Sequence, residues 1–187
     1  MHRRGVDVTL CKGGGQACAP YERVIPCWRR GSIAARRIAR TLPRRLSWRA
    51  GLGSEYGVEQ ASFAWNLIRF LRAERIDLLH VQDPRLALIV QRARKLRLVH
   101  SRTILAHGTE EPASFLRKIE YLQHLAPWHG QECRAAGIWR PRWTELPNFI
   151  DCDRFCPGDA GSMRDEMGIP RDALVVLTAA AIKRRHK

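Results

Sequence analysis

Residues 64–108 read AWNLIRFLRAERIDLLHVQDPRLALIVQRARKLRLVHSRTILAHG. Ala64, Leu67, Ile68 and Leu71 fall at i, i+3, i+4 and i+7, one apolar stripe of a helix predicted over about 59–74. Residues 76–81 read as a buried strand. Pro84 suits the first turn of the next helix, where its missing N–H costs nothing. That helix carries Leu86, Leu88, Ile89 and Val90 and ends in the basic run 92–97. Residues 102–106 read as a second strand, ended by His107-Gly108. Helix, strand, helix, strand at this spacing predicts an α/β fold with a parallel sheet flanked by helices.

Weaker signals extend the pattern in both directions. Val6, Val8 and Leu10 alternate with polar residues, the strand period, and Gly13-Gly14-Gly15 follows as a loop. That glycine run lacks the G-x-G-x-x-G spacing of a phosphate cradle. Residues 23–25 form a short predicted strand closed by Pro26, and a helix is expected over about 32–42 with Ser32 as its N-cap. After Pro112 the pattern predicts a helix carrying Phe115, Ile119 and Leu122. A short strand at Leu125-Ala126, a helix over 131–136 stopped by Gly137 and a strand over 143–146 come next. Residues 147–161 are rich in Pro, Gly and Asp and read as a linker. A short helix over 163–167 and an apolar strand over 174–181 then lead into the basic end of the chain. The expected division is a parallel-sheet α/β domain over 1–146 and, over 147–187, a linker with the first strand of a second domain.

A chain of 187 residues can bury roughly 70% of the surface it exposes when unfolded, so it needs no disulfide or metal staple. No apolar run approaches the ~20 residues that span a bilayer. The N-terminus lacks the apolar stretch of an export signal, so the reading is a cytoplasmic protein with reduced thiols. Cys152 and Cys156 have zinc-ligand spacing, but no second Cys/His pair accompanies them, and no metal is expected. The net charge is +15. Arg29, Arg30, Arg36, Arg37, Arg40, Arg44, Arg45 and Arg49 crowd one segment. Such a segment is a solvated face, a docking patch for an anionic membrane surface at the cytoplasmic side, or a nucleic-acid contact. No zinc-finger, RRM or KH signature supports the last, and nucleic acid is not expected as a partner.

The run Leu146-Pro-Asn-Phe-Ile-Asp-Cys-Asp-Arg-Phe-Cys-Pro157 carries more specific information. It resembles the interdomain signature I-P-N-G-(V/I)-D-x-x-x-F-x-P of family four glycosyltransferases of the GT-B fold. Pro147, Asn148, Ile150, Asp151, Phe155 and Pro157 match, and Phe149 stands where the family has glycine. Residues 4–10, RGVDVTL, resemble the family's R-G-H-D-V-T-L strand. Residues 77–84, DLLHVQDP, resemble D-V-V-H-V-H-D-P, and residues 103–108, TILAHG, resemble L-T-x-H-G. Residues 168–177 resemble the entry to the second domain. The resemblance covers the first domain without its beginning and only the first strand of the second.

It implies a retaining, metal-independent glycosyltransferase that moves a sugar from a nucleotide-diphosphate sugar to a hydroxyl of a glycan or lipid acceptor. It implies no cofactor; cationic groups offset the leaving diphosphate. His107, at the carboxyl end of a central strand where α/β sheets bind ligands, is the expected catalytic residue. Gly108, His80 and Asp83 are expected to bind substrate, and the spacing of His80 and Asp83 also allows a local hydrogen bond that holds the loop before Pro84. Lys187 matches the lysine of the family's R-x(4–5)-K diphosphate clamp; Ala181 or Ile182 falls where the family has its arginine, and Lys183 is the cation nearest that position. Asn148 and Asp151 are the expected interdomain hinge. Glu110 and Glu111 read either as acid/base groups or as first-turn residues favoured by a helix dipole. Trp128 and His129 begin a helix where the family has a serine and a small residue, and Trp128 reads as core or cleft lining. The family's E-x7-E motif is absent from the chain, so the chain alone is expected to be inactive. The alternative is a non-catalytic basic module that docks on anionic lipid or glycolipid.

Overall fold

Two apolar-faced helices cover the strands that the 64–108 segment predicts. The structure is a computed structural model that describes residues 5–41, 52–158 and 161–177. The described chain separates into two units, with the break between Asn148 and Phe149.

In the first unit, β1 (Leu10–Lys12) pairs in parallel with β2 (Glu22–Val24), and α1 (Ile33–Thr41) and α2 (Glu55–Ala73) follow. Next come β3 (Leu78–Val81), α3 (Pro84–Lys95), β4 (Arg102–His107), α4 (Ala113–Leu116), β5 (Tyr121–His124), α5 (Pro127–Ala135) and β6 (Trp143–Glu145). Strands β3 to β6 form a four-stranded parallel sheet in the order β3-β4-β5-β6. The fold is α/β and Rossmann-like in character. β4 and β5 are the inner strands, and their side chains are buried along most of their length. This is the composition rule for strands covered on both faces.

The helix ends follow local chemistry. Ser54 Oγ accepts from the Gly57 N–H at 3.1 Å to cap α2, four residues before the predicted start. Asp83 Oδ1 accepts from the Leu86 N–H at 2.8 Å to cap α3, with Pro84 in its first turn. Ser32 Oγ accepts from the Ala35 N–H at 3.2 Å, the N-cap that the sequence predicts for α1. α5 closes with Gly137 at φ 64°: its N–H donates to Arg134 O, and the Ile138 N–H donates to Cys133 O. That is a Schellman closure, in which a residue at positive φ turns the chain off the helix. α3 closes the same way on Arg97, at φ 59° without the freedom of glycine.

One core joins the elements: Leu67 and Leu71 of α2, Val90 of α3, Leu105 of β4, Leu122 of β5 and Trp143 of β6 pack together. Ile25, just after β2, belongs to the same cluster. The segment after β2 is tied to α2 by hydrogen bonds from the Trp28 N–H to Ser62 Oγ and from Asn66 Nδ2 to Pro26 O, both 2.9 Å.

The sequence reading needs three corrections. The strand expected over residues 6–10 pairs only from Leu10 onward, because its partner β2 is three residues long. The helix expected to carry Ile119 and Leu122 stops at Leu116; Leu122 lies in β5, and the strand expected at Leu125-Ala126 sits four residues earlier. The apolar period of 115, 119 and 122 runs through a one-turn helix, a turn and a strand facing one core, which mimics a single longer helical stripe. In the second unit, α6 (Gly161–Glu166) is closed by Gly168 at φ 64°. Residues 174–177 form no strand and are exposed, since no neighbouring strand among the described residues accepts their hydrogen bonds. Residues 178–181 of that expected strand lie outside the described residues. No helix among the described residues is long and apolar enough to cross a membrane.

Candidate functional site

β4 ends on His107 and β5 ends on His124, in register with each other. The two inner strands thus deliver two imidazoles to the carboxyl edge of the sheet. The chain leaves β5 through Leu125 and Ala126, and Pro127 then starts α5, which places His129 beside them. Ring centroids are 4.6 Å apart for His107 and His129, 5.5 Å for His107 and His124, and 6.5 Å for His124 and His129. All three rings are buried.

His107 is 2% exposed, and neither of its ring nitrogens makes a well-formed hydrogen bond to a described residue, the Thr109 backbone standing near enough only to oppose in part the effect of burial. Both nitrogens of His124 are likewise buried and unpartnered. A buried polar group without a partner costs roughly 1–3 kcal/mol, so a fold keeps one where something else uses it. Burial, with His129 and His124 alongside, lowers the His107 pKa to about 4; the Thr109 backbone partly opposes this. Burial also lowers His124, with His129 adding to the effect. His107 is therefore a neutral imidazole at pH 7, with one nitrogen to donate and one to accept. A group that takes a proton only near 4 is a poor general base at neutral pH; its useful chemistry is hydrogen bonding.

His107 opens onto a cleft of about 170 Å³. Leu116, Cys133 and His129 line its inner part, and Glu110, Glu111, Glu132 and Trp128 complete it. Burial raises the Cys133 thiol pKa, so the sulfur stays protonated. Trp128 stacks on His129 with centroids 3.5 Å apart and remains 48% exposed. Behind the cleft, His124 stacks on Trp139 at 5.6 Å, and the Arg134 guanidinium covers Trp139 at 4.1 Å. Arg134 also donates to Glu145 Oε1 at 2.5 Å, which lowers the Glu145 pKa. Gly130 of α5 lies directly against that carboxylate; a Cβ there would collide with it. The glycine sets how closely α5 approaches β6, and so where Trp128, His129 and Glu132 stand.

The other expected site residues are placed differently. Gly108 follows His107 and packs under Leu125, where a Cβ would meet Leu125 Cδ1 at 3.2 Å. His80 Nε2 is 2.8 Å from Gln123 Oε1, and Gln123 Nε2 donates to Leu146 O at 2.9 Å. Asp83 caps α3 and accepts from the Tyr56 hydroxyl, which, with burial as the larger cause, pushes the tyrosine up to about 12. His80 and Asp83 therefore bond to Gln123, Tyr56 and a helix end rather than to each other, and neither lines the cleft. Asn148 ends the first unit, while Asp151 belongs to the second and accepts from the Asp153 N–H at 3.1 Å. Lys183 and Lys187 lie outside the described residues, as do Arg44, Arg45 and Arg49. Of the remaining arginines, Arg30 approaches Glu59 at 3.6 Å and Arg36 approaches Glu55 at 3.9 Å. These two hold α1 and its approach against α2 rather than standing free.

Sequence reasoning found His107, Glu110, Glu111 and Trp128, and did not give His124, His129, Glu132 or Cys133 a role. His129 and Cys133 are four apart on α5 and so share one face, a spacing visible in the sequence once the helix is known to begin at Pro127. Among the described residues no three His, Cys, Asp or Glu side chains stand together as a metal site requires. Compared with known proteins, the chain matches no family model and no curated protein sequence.

Proposed function

We propose that this chain is the acceptor-side part of a GT-B-type glycosyltransferase, and that the His107 cleft holds the acceptor sugar. The observation that carries this reading is the neutral, unpartnered His107 at the carboxyl end of an inner strand of a parallel sheet, facing the cleft. Ligands of open α/β sheets bind at that edge. At about 170 Å³ the cleft is smaller than the ~300–1,000 Å³ of sites for drug-sized ligands, so it takes one small ring rather than a nucleotide. Glu110, Glu111 and Glu132 supply acceptors for hydroxyl groups, His107 supplies one donor and one acceptor, and Trp128 offers an apolar face. In this reading His107 orients the attacking hydroxyl. The donor diphosphate is held elsewhere, by cationic groups that the resemblance places on the second domain.

Calorimetry with the 187-residue chain tests the assignment. Glucose is expected to bind, His107→Asn to weaken that binding, and UDP- and GDP-sugars to show no micromolar affinity. Micromolar binding of a nucleotide sugar that glucose displaces would put the donor in this cleft and overturn the reading.

A further inference from the structure

We propose that the His107 cleft selects a ligand bearing a protonated amine, seated on the open face of Trp128 among the carboxylates of Glu110, Glu111 and Glu132. The proposal deepens the acceptor reading and rests on it only for the sugar frame of the ligand; the amine follows from the cleft itself.

The distribution of charge is the first argument. The chain carries a net charge of +15, yet among the described residues no Lys or Arg lines this cleft, and three glutamates do. Five of the ten glutamates pair with Lys or Arg: Glu22, Glu55, Glu59, Glu120 and Glu145. Of the five that make no ion pair with a described residue, three surround the cleft. Glu111 has only the Thr109 hydroxyl, donating at 3.5 Å. The nearest arginine of α5, Arg134, stands next to Cys133 but is paired with Glu145, and charges beyond about 8 Å are largely screened at physiological salt, so the local carboxylates dominate what enters.

The second argument is independent of the carboxylates. His107 is 98% removed from solvent, lines the same cleft and makes no well-formed hydrogen bond to a described residue on either nitrogen. An uncharged imidazole offers a lone pair to an N–H donor, and its pKa of about 4 means that a cation beside it does not compete with a proton. The third argument is Trp128, which stacks on His129 and yet remains 48% exposed. The face of an indole attracts ammonium groups through its quadrupole. Aromatic face, carboxylates and a neutral acceptor together describe ammonium recognition. An anionic ligand, such as a uronic acid or a sugar phosphate, would meet three carboxylates without an ion pair to a described residue, while the nearest arginine of α5, Arg134, is held by Glu145. A metal ion would need converging donors, which the described residues do not provide.

Calorimetry at pH 7 with glucosamine, glucose, glucuronate and choline decides the matter. Glucosamine is expected to bind at least about fivefold more tightly than glucose, the weight of one nearby charge in a solvated site, and glucuronate more weakly than glucose. A variant carrying Glu110→Gln, Glu111→Gln and Glu132→Gln, all outside the packed core, is expected to lose most of the preference for glucosamine over glucose and most of the discrimination against glucuronate, keeping only the share that Trp128 and His107 supply. Glucosamine and glucose binding equally to the unaltered chain would overturn the amine and leave the acceptor reading standing. Choline binding with no sugar binding would uphold the amine and remove the acceptor reading. Glucuronate binding as tightly as glucosamine, or a preference unchanged in the triple variant, would overturn the proposal.

Discussion

Burial sets the pKa of His107 at about 4 against an ordinary 6.5, and the linked effect on folding has a definite sign. Above pH 6.5 the ring is neutral in both the folded and the unfolded chain and contributes no pH dependence. Between 6.5 and 4 the unfolded chain binds the proton and the folded chain does not, so stability falls as pH falls. The full difference amounts to at most about 3 kcal/mol, and His124, lowered in the same direction, adds to the same limb. Urea melts from pH 8 to 4 are expected to give a flat midpoint down to about 6.5 and a steady decline below it. His107→Asn, which cannot titrate, is expected to flatten that decline; a slope unchanged by the substitution would show that the ring is not buried as described. His107 was legible in the sequence because a histidine ending a buried strand has a predictable address at the sheet edge. His124 was not, because Leu122 and Ile119 imitated a helical stripe and moved the predicted strand to 125–126. A ring that stacks on Trp139 and sits beside His107 becomes visible only once β5 is placed.

At the scale of the element, α5 is where helix propensity and packing oppose each other. In an exposed helix, replacing Gly130 with Ala would stabilise by about 0.5–1 kcal/mol. Here the added methyl meets the Glu145 carboxylate that Arg134 holds, so either the ion pair breaks or α5 moves off β6. Overpacking of this kind costs typically about 1–3 kcal/mol, which outweighs the propensity gain. Gly130→Ala is therefore expected to lower the thermal midpoint and weaken glucose binding together, since Trp128, His129 and Glu132 ride on the same helix. The double substitution Gly130→Ala, Glu145→Ala is expected to recover most of the lost stability, and an unchanged midpoint in the single variant would contradict the close approach. The sequence announced this helix through Gly137 and through a start read at Trp128 and His129, although Ala126 supplies no capping side chain and Pro127 alone marks the first turn. α2 and α3 were easier, because Ser54 and Asp83 supply side-chain caps and their apolar stripes face one core. The pairing of β1 with β2 was the least legible, being three residues long and set by the partner strand rather than by the alternation of Val6, Val8 and Leu10.

For the whole molecule, the position of the core decides which part of the chain carries stability. Every buried apolar side chain among the described residues, from Ile25 to Trp143, precedes Asn148. None of the described residues after Phe149 is buried, and Leu174 is 93% exposed with Val176 and Leu177 close behind. Apolar burial supplies roughly 25 cal/mol per Å², so a segment that buries no side chain contributes little to the unfolding free energy. Denaturant slopes scale with the surface exposed on unfolding, and the same reasoning applies to them. A chain ending at Asn148 is accordingly expected to unfold in urea with nearly the midpoint and slope of the 187-residue chain. It is also expected to scatter less light on concentration, because the exposed apolar stretch at 174–177 is removed. The His107 cleft lies wholly before Asn148, so glucose binding should survive the truncation as well. A midpoint lowered by more than about 1 M urea in the shorter chain, with typical slopes of about 1–3 kcal/mol per molar, would mean that residues beyond Phe149 stabilise the first unit.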